Sequence, residues 1–201
     1  MANTQGINYG ARPITEPGMP PKLMYLRANT SQAIYRGQFV AINNSGQIAV
    51  IAPGDLVASI GIAWSFLAPG GTGLPTGMTT TTAAANLPAS TDAVVGYTYD
   101  PQQLYVMEEI TGGVALTAIS VGQLVNWTYT ATTGNTTTGY ATTVIQNSSV
   151  SSGTGPLLQL LQFQNITNQD GTANAAGASA KWIVRIANHQ LNGTRVGVPQ
   201  G

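Results

Sequence analysis

Residues 38–64 read QFVAINNSGQIAVIAPGDLVASIGIAW, and this stretch decides the fold class. Short runs of β-branched and aromatic residues at 38–42, 47–51 and 56–64 are typical of strands. The break at 43–46, NNSG, consists of residues that tolerate positive φ, so it predicts a hairpin between the first two strands. This alternation of apolar runs with Gly, Asn, Ser and Pro recurs along the chain and predicts a mainly β protein.

The same pattern predicts further strands on both sides of this stretch. They lie at residues 23–27, 93–99, 104–110, 123–129, 140–145, 157–163 and 181–187. A Pro in DPQQ, residues 100–103, presets φ for a tight turn. No stretch has an apolar period of 3.6 residues that is long enough for a major helix. The prediction is an all-β fold, an antiparallel barrel or sandwich with long polar loops and a long insertion at about 66–90.

Residues 1–22 differ from the rest because they contain several prolines and glycines, which exclude a helix and a central strand. We predict an extended N-terminal arm here, followed by a single β domain at 23–201. Ile14, Met19 and Leu23 give the arm apolar anchors, which favours an arm lying along a surface. A disordered terminus is the alternative. The sequence leaves open whether the β domain is one barrel or two subdomains.

Two short segments resemble one another, GQFV at 37–40 and GQLV at 122–125. Each follows an isoleucine placed three positions before its glycine, Ile34 and Ile119. Two related β units would produce this pattern, and so would convergent strand starts. Four positions are too few to choose between these explanations.

The chain carries few charges. Lys, Arg, Asp and Glu make up 7% of it, against about 25% in an average globular protein. The hydrophobic fraction is 43%, the formal net charge is zero, and no Lys or Arg lies between Arg36 and Lys181. These values predict a folded protein with an almost uncharged surface. Nucleic acid and anionic membranes attract basic patches, so we expect neither as a partner.

Residues that carry catalytic chemistry are scarce. There is no cysteine, and His189 is the only histidine; we expect it near a strand end with a backbone partner. Glu108 and Glu109 are adjacent, so in a strand they point to opposite faces. We predict that the protein is not an enzyme and holds no cofactor or metal. A glycosidase, which needs two carboxylates about 5–10 Å apart, is the third candidate function.

Targeting signals give a further expectation. Residues 1–10 lack the basic segment and apolar run of a secretory signal, and no stretch approaches the ~18 apolar residues of a membrane span. We therefore expect a protein that is made and assembled in a cytoplasm.

Six segments, in this order along the chain, carry a resemblance to a known family. They are residues 10–14 (GARPI), 35–40 (YRGQFV), 60–63 (IGIA), 97–106 (YTYDPQQLYV), 121–126 (VGQLVN) and 184–189 (VRIANH). In these segments the chain resembles the capsid decoration, or cement, proteins of tailed bacteriophages, which are small β proteins bound outside the major capsid shell.

The resemblance implies a structural virion protein that binds the outer surface of a phage capsid and stabilises contacts between major capsid subunits. Its partners would be the major capsid protein and further copies of itself in a trimer or dimer, assembled on the capsid exterior in the host cytoplasm. The arm would reach across the shell. As contacts to the capsid or to another subunit we predict Arg12, Pro13, Ile14, Met19 and Leu23.

The alternative function is a carbohydrate-binding or receptor-binding β module of a phage head fibre or tail. Such a module would use exposed Tyr or Trp side chains for stacking. Trp64, Trp127 and Trp182 each lie in an apolar strand run, where packing in a core or against a subunit is the commoner role.

Overall fold

The computed structural model describes residues 10–17, 19–28, 31–55, 57–67, 86–87, 89, 93–110, 112, 114–136, 138–151, 157–164, 173–177 and 179–194. The fold is all-β, as predicted, and the one helical element in these ranges is a 3₁₀ turn at Ala118–Ser120. Most of the predicted insertion at about 66–90 lies outside the described residues.

Short strands build the whole fold. In chain order they are β1 (Arg12–Pro13), β2 (Leu23–Arg27), β3 (Ile34–Tyr35), β4 (Phe39–Ile42), β5 (Ile48–Val50), β6 (Gly61–Leu67), β7 (Asn86–Leu87), β8 (Val94–Thr98), β9 (Leu104–Glu108), β10 (Leu124–Gly134), β11 (Ala141–Ser151), β12 (Leu158–Phe163), β13 (Lys181–Ile186), β14 (Asn188–His189) and β15 (Gly193–Thr194). A six-stranded sheet has the order β1-β9-β13-β12-β10-β11, and a five-stranded sheet has the order β2-β8-β6-β4-β5. Two further pairs are β3-β7 and β14-β15.

The turns predicted from sequence form as expected. β4 and β5 make an antiparallel hairpin, and the Asn43 Oδ1 accepts the backbone N–H groups of Ser45 and Gln47, both at 2.9 Å. At the DPQQ turn the N–H of Gln103 donates to the carbonyl of Asp100 at 3.0 Å. This second turn carries the chain from β8 in one sheet to β9 in the other.

The two large sheets share one connectivity. When the strands are numbered within each sheet from the N-terminal end, the order is first, fifth, fourth, second, third in both β2-β8-β6-β4-β5 and β9-β13-β12-β10-β11. Every neighbouring pair is antiparallel. We name the first set of strands the N unit and the second set the C unit; β1 is added to the C unit along β9.

Hydrogen bonds at the GQFV and GQLV segments match between the units. The N–H of Gly37 donates to Ala63 and the N–H of Gly122 donates to Leu160, both at 2.8 Å. Ala63 and Leu160 in turn donate to the carbonyl of the glutamine that follows each glycine, at 2.9 and 3.0 Å. The two glycines have φ of 83° and 87°, as the third position of such a tight turn requires. The matching pattern favours two related β units over convergent strand starts.

Each unit curls towards a barrel. An isolated parallel bridge joins Ala28, directly after β2, to Ile48 in β5, and a second joins Glu109, directly after β9, to Ile145 in β11. Each bridge connects the first strand of a unit to its third strand, which lies at the opposite end of the strand order. Both sheets therefore bend round until their edges meet at one end.

Each unit has its own apolar core, and one face of the N unit completes the core of the C unit. Along β4, Val40 lies in the N-unit cluster, while Phe39 and Ala41 lie in the cluster of the C unit. Ile51 and Ile62 of the N unit join the same C-unit cluster. Because successive side chains of a strand point to opposite faces, β4 contributes to both cores.

The C-terminal segment also ties the units together. The N–H of Ser59 donates to Asn188 and the N–H of Gln190 donates to Ser59, both at 2.9 Å. The Gln190 side chain pairs with the backbone of Ile42, accepting its N–H at 2.8 Å and donating to its carbonyl at 3.0 Å. The two units, whose cores share β4, thus pack closely. The division into an arm at 1–22 and a single β domain at 23–201 stays a prediction.

Candidate functional site

The first described part of the predicted arm is a strand of the C unit. In β1, Arg12 lies opposite Val106 and Pro13 opposite Tyr105. Ala11 is fully buried in the C-unit core, and its N–H donates to the carbonyl of Gly37 at 3.0 Å. Residues 10–14 therefore help to build the sheet and do not extend away from it.

Pro13 sits where a proline costs no hydrogen bond. The N–H of Ile14 donates to the carbonyl of Leu104 at 2.8 Å, so the backbone nitrogen of Ile14 points towards β9. Neighbouring residues of a strand point their backbone groups to opposite sides, so the nitrogen of Pro13 points away from the sheet. A proline at this position leaves the outer edge of β1 without a donor and hinders the addition of another strand.

Arg12 lies near a half-buried carboxylate. Glu108 is directly opposite Lys181 in the sheet, and its Oε2 is buried with no hydrogen-bond partner in the described part of the chain. Burial raises the pKa of Glu108 to about 7, while the charges of Lys181 and Arg12 lower it. Arg12 thus has an electrostatic partner within the fold.

The chain after Pro13 forms the wall of an open groove. The groove has a volume of about 530 Å³ and lies between the segment leading to β2 and the DPQQ turn. Its lining comprises Ile14, Thr15, Glu16, Met19, Pro20, Pro21, Lys22, Asp100 and Gln103. The Gln103 side chain fixes this arrangement, because its Nε2 donates to the carbonyls of Ile14 and Leu104 at 2.8 and 2.9 Å.

The structure places two of the five predicted contact residues in the groove and three outside it. Ile14 and Met19 are brought together in the groove, and Met19 is 61% exposed. Arg12 and Pro13 lie in β1, and Leu23 begins β2 opposite Thr98, so these three lie outside the groove lining. We name the segment from Ile14 to Lys22 the strap, because it joins β1 at the edge of one sheet to β2 at the edge of the other.

Sequence reasoning missed the far wall of the groove. In the sequence, Asp100 and Gln103 are recognisable only as parts of a tight turn, and no local signal connects them with the strap. The hydrogen bond from the Gln103 side chain to the carbonyl of Ile14 is long-range, and it depends on the pairing of β1 with β9. The carboxylate of Asp100 and the side chains of Glu16 and Lys22 supply the charged groups of an otherwise largely apolar lining.

Glu109, one of the residues considered for catalysis, lies in the core. Glu109 is 1% exposed. Its carboxylate accepts hydrogen bonds from the N–H of Leu116 at 2.9 Å, the Nδ2 of Asn147 at 3.0 Å and the Nε1 of Trp182 at 3.1 Å. Glu108 faces Lys181, so the prediction that the two glutamates point to opposite faces is confirmed.

His189 is buried in β14, and its Nδ1 accepts the N–H of Leu191 at 3.1 Å. The predicted backbone partner of the histidine is therefore confirmed. Among the residues that the structure describes, no group of three or more His, Asp or Glu side chains is placed to hold a metal ion.

The tryptophans pack inside the protein. Trp127 and Trp182 are 2% and 1% exposed and lie in the C-unit core. Trp64 is partly buried against the same cluster, with the Arg36 guanidinium 5.8 Å from its ring centroid.

The described residues include no helix with the length and apolarity needed to cross a bilayer. Comparison with known proteins gives no assignment: no protein-family model, curated protein or solved structure matches the chain.

Proposed function

We propose that this protein is a structural virion protein of the decoration, or cement, class, which binds the exterior of a tailed-phage capsid and stabilises contacts between major capsid subunits. Its partners are the major capsid protein and further copies of itself. The proposal includes no catalytic step, cofactor, nucleic acid or membrane. It rests first on the strap, which presents apolar side chains around an open groove at the edges of both sheets.

The strap is anchored at both ends, and this favours binding. On one side Ile14 is hydrogen-bonded to β9, and on the other side β2 pairs along its length with β8. A binding segment that is already held in place loses less conformational freedom when a partner docks. Ile14 and Met19 can therefore contact a partner without the strap first having to fold.

The low charge of the chain supports the same function. Only 7% of the residues are charged, so docking a large surface requires little desolvation of ions. A protein that binds several capsid subunits at once stabilises the shell by its free energy of binding. The low charge of the chain thus favours binding across the boundaries between capsid subunits.

The alternative, a carbohydrate-binding or receptor-binding module, has less support. Trp127 and Trp182 are buried in the core, so these two side chains are not available for stacking on a sugar ring. A glycan array remains the experiment that separates this alternative from capsid binding, because selective sugar binding would favour it.

The test compares two full-length variants of similar exposure. Met19→Asp places a charge in the groove, whereas Leu191→Asp places a charge elsewhere on the surface; the two native side chains are 61% and 62% exposed. Each variant is mixed with purified capsids of the phage that encodes the protein, and the bound protein is measured by co-sedimentation. We expect Met19→Asp to bind at least about tenfold more weakly and Leu191→Asp to bind like the wild type.

Two results would overturn the proposal. One is a wild-type protein that does not co-sediment with capsids at any concentration. The other is a Met19→Asp protein that binds as tightly as the wild type, which would remove the strap from the interface. Deletion of residues 1–22 is a poorer test, because it removes Ala11 from the core and β1 from the sheet.

A further inference from the structure

The groove beside the strap carries an excess of negative charge. Among the residues that line it, Glu16 and Asp100 are acidic and Lys22 is basic, and all three residues are exposed. Two carboxylates and one ammonium group leave the lining with one negative charge that no lining residue balances. A partner with a positive charge therefore complements the groove better than a neutral or acidic partner does.

The carboxylate of Asp100 is held in place by its own turn. Its Oδ1 accepts the backbone N–H of Gln102 at 2.8 Å, and its backbone carbonyl accepts the N–H of Gln103 at 3.0 Å. A carboxylate offers about four acceptor positions, so the Asp100 side chain can accept further hydrogen bonds from a partner. A group that is already oriented loses less conformational freedom when a ligand binds.

The amide of Gln103 is already engaged within the protein. Its Nε2 donates to the carbonyls of Ile14 and Leu104 at 2.8 and 2.9 Å. An amide nitrogen carries two hydrogens, and both are used by these two bonds. The charged donor in the lining is therefore Lys22, while two carboxylates can accept. The hydrogen-bonding groups of the groove thus also favour a donor that carries a positive charge.

The apolar part of the lining suits a side chain with a long aliphatic stem. Ile14, Met19, Pro20 and Pro21 supply this part. The N–H of Met19 donates to the carbonyl of Glu16 at 3.0 Å, so a tight turn fixes the positions of these two residues on the strap. Lysine and arginine side chains pack their stems along apolar surface and keep the charged end in a polar environment.

We propose that this groove is the binding site for a basic side chain of the major capsid protein, a lysine or arginine whose stem lies along Met19 and whose charge pairs with Glu16 and Asp100. The identity of this partner rests on the proposed function, whereas the selection of a basic side chain rests on the lining. Met19→Asp still weakens binding, because an exposed ion pair gains less than burial of a methionine side chain.

The experiment uses a capped tripeptide with arginine between two alanines as the probe. It is titrated into full-length protein with isotope-labelled methyl groups. We expect saturable NMR shifts at the methyl groups of Ile14 and Met19, with a Kd on the order of millimolar or weaker. The same tripeptide with citrulline, a neutral side chain of the same shape as arginine, should bind at least about threefold more weakly.

Matched variants test the two carboxylates. Asp100→Asn and Glu16→Gln remove a charge with little change of shape, and each should weaken binding of the arginine peptide about twofold to fivefold. Binding of the citrulline peptide should stay unchanged. Asp55→Asn is the control, because Asp55 is also exposed and its carboxylate also accepts a backbone N–H within a turn, yet it lies outside the groove lining. Lys22→Gln should strengthen binding of the arginine peptide.

Three outcomes would overturn the proposal. They are equal binding of the arginine and citrulline peptides, no response at the methyl groups of Ile14 and Met19, and a loss for Asp55→Asn as large as that for Asp100→Asn. Because this experiment needs no capsid, any of these outcomes leaves capsid binding itself intact. A wild-type protein that does not co-sediment with capsids would instead overturn the proposed function.

Discussion

Trp64 and Leu161 are equivalent residues, because each is the extra residue at the one register shift between the fourth and fifth strands of its unit. In the N unit the shift lies between Ala63 and Ser65, and in the C unit it lies between Leu160 and Gln162. A β-bulge is a specific local feature that increases the twist of a strand. Its recurrence at the same place, within the same strand order, indicates that one β unit occurs twice in this chain.

Gly61 in the N unit leaves no room for a side chain. Gly61 has φ of +155°, and a Cβ added to it would lie 1.7 Å from the carbonyl oxygen of Thr98. Gly61→Ala should therefore lower the free energy of unfolding by more than about 3 kcal/mol. Gly46→Ala is the control. Gly46 also has a positive φ, +72°, but a Cβ added to it would meet no neighbouring atom within 4 Å. This substitution should lower the free energy of unfolding by only about 1–2 kcal/mol. Urea unfolding measures both values, and equal losses would contradict the close contact.

Gln38 should contribute more to stability than its equivalent Gln123. The buried Gln38 side chain donates to the Tyr129 hydroxyl at 2.7 Å and accepts the N–H of Tyr35 at 2.9 Å, so it connects the two units. Gln38→Ala should cost about 1–3 kcal/mol, because it leaves buried polar groups unpaired. Gln123→Ala lies at the same turn and should cost less than about 1 kcal/mol. A reversed order in thermal or urea unfolding would show that Gln38 does not connect the units.

Glu108 should make stability depend on pH. Its pKa is raised from 4.5 to about 7 in the folded protein, chiefly by burial. The folded state therefore binds the proton more tightly than the unfolded state, so this group's contribution to stability falls as pH rises from about 4.5 to 7 and is level above that. The loss is at most about 3 kcal/mol. Glu108→Gln should remove this slope, and an unchanged difference between wild type and variant from pH 4 to pH 8 would contradict the raised pKa.

Arg12 should act through Glu108. Its positive charge lowers the pKa of Glu108, so Arg12→Ala should raise that pKa further. The variant should be less stable than the wild type at pH 8, by about 1 kcal/mol, and much closer to it at pH 4, where Glu108 is protonated in both states. Lys22→Ala also removes one positive charge, and Lys22 is not among the charges that shift the pKa of Glu108, so it is the control. A loss for Arg12→Ala that is the same at both pH values would mean that only its packing matters.

Much of the secondary structure was predictable from local pattern. The prediction of a strand at 23–27 matches β2 residue for residue, and the hairpin at 43–46 forms as expected. The pairs β3-β7 and β14-β15 escaped prediction because two-residue strands have no detectable period. The residues of β1 give no strand signal, because a proline is unfavourable in a central strand, whereas at the edge of a sheet its nitrogen can face outward.

The candidate site was less predictable than the fold, because its contacts are long-range. The apolar residues Ile14 and Met19 could be identified from sequence, whereas their neighbour Gln103 could not. In the sequence, the repeat is visible at GQFV and GQLV, because other equivalent positions, such as Ile62 and Gln159, differ in polarity. Ile62 packs into the C-unit core, whereas Gln159 accepts a hydrogen bond from the Nε of Arg185 at 2.8 Å.

The central claim is that this protein binds a capsid exterior and holds neighbouring subunits together. A cryo-electron-microscopy difference map between capsids that carry the protein and capsids stripped of it tests this claim most directly. We predict extra density on the outer surface that contacts at least two major capsid subunits, with the strap and its groove facing the shell. Absence of such density, or density in which the strap faces solvent, would contradict the account.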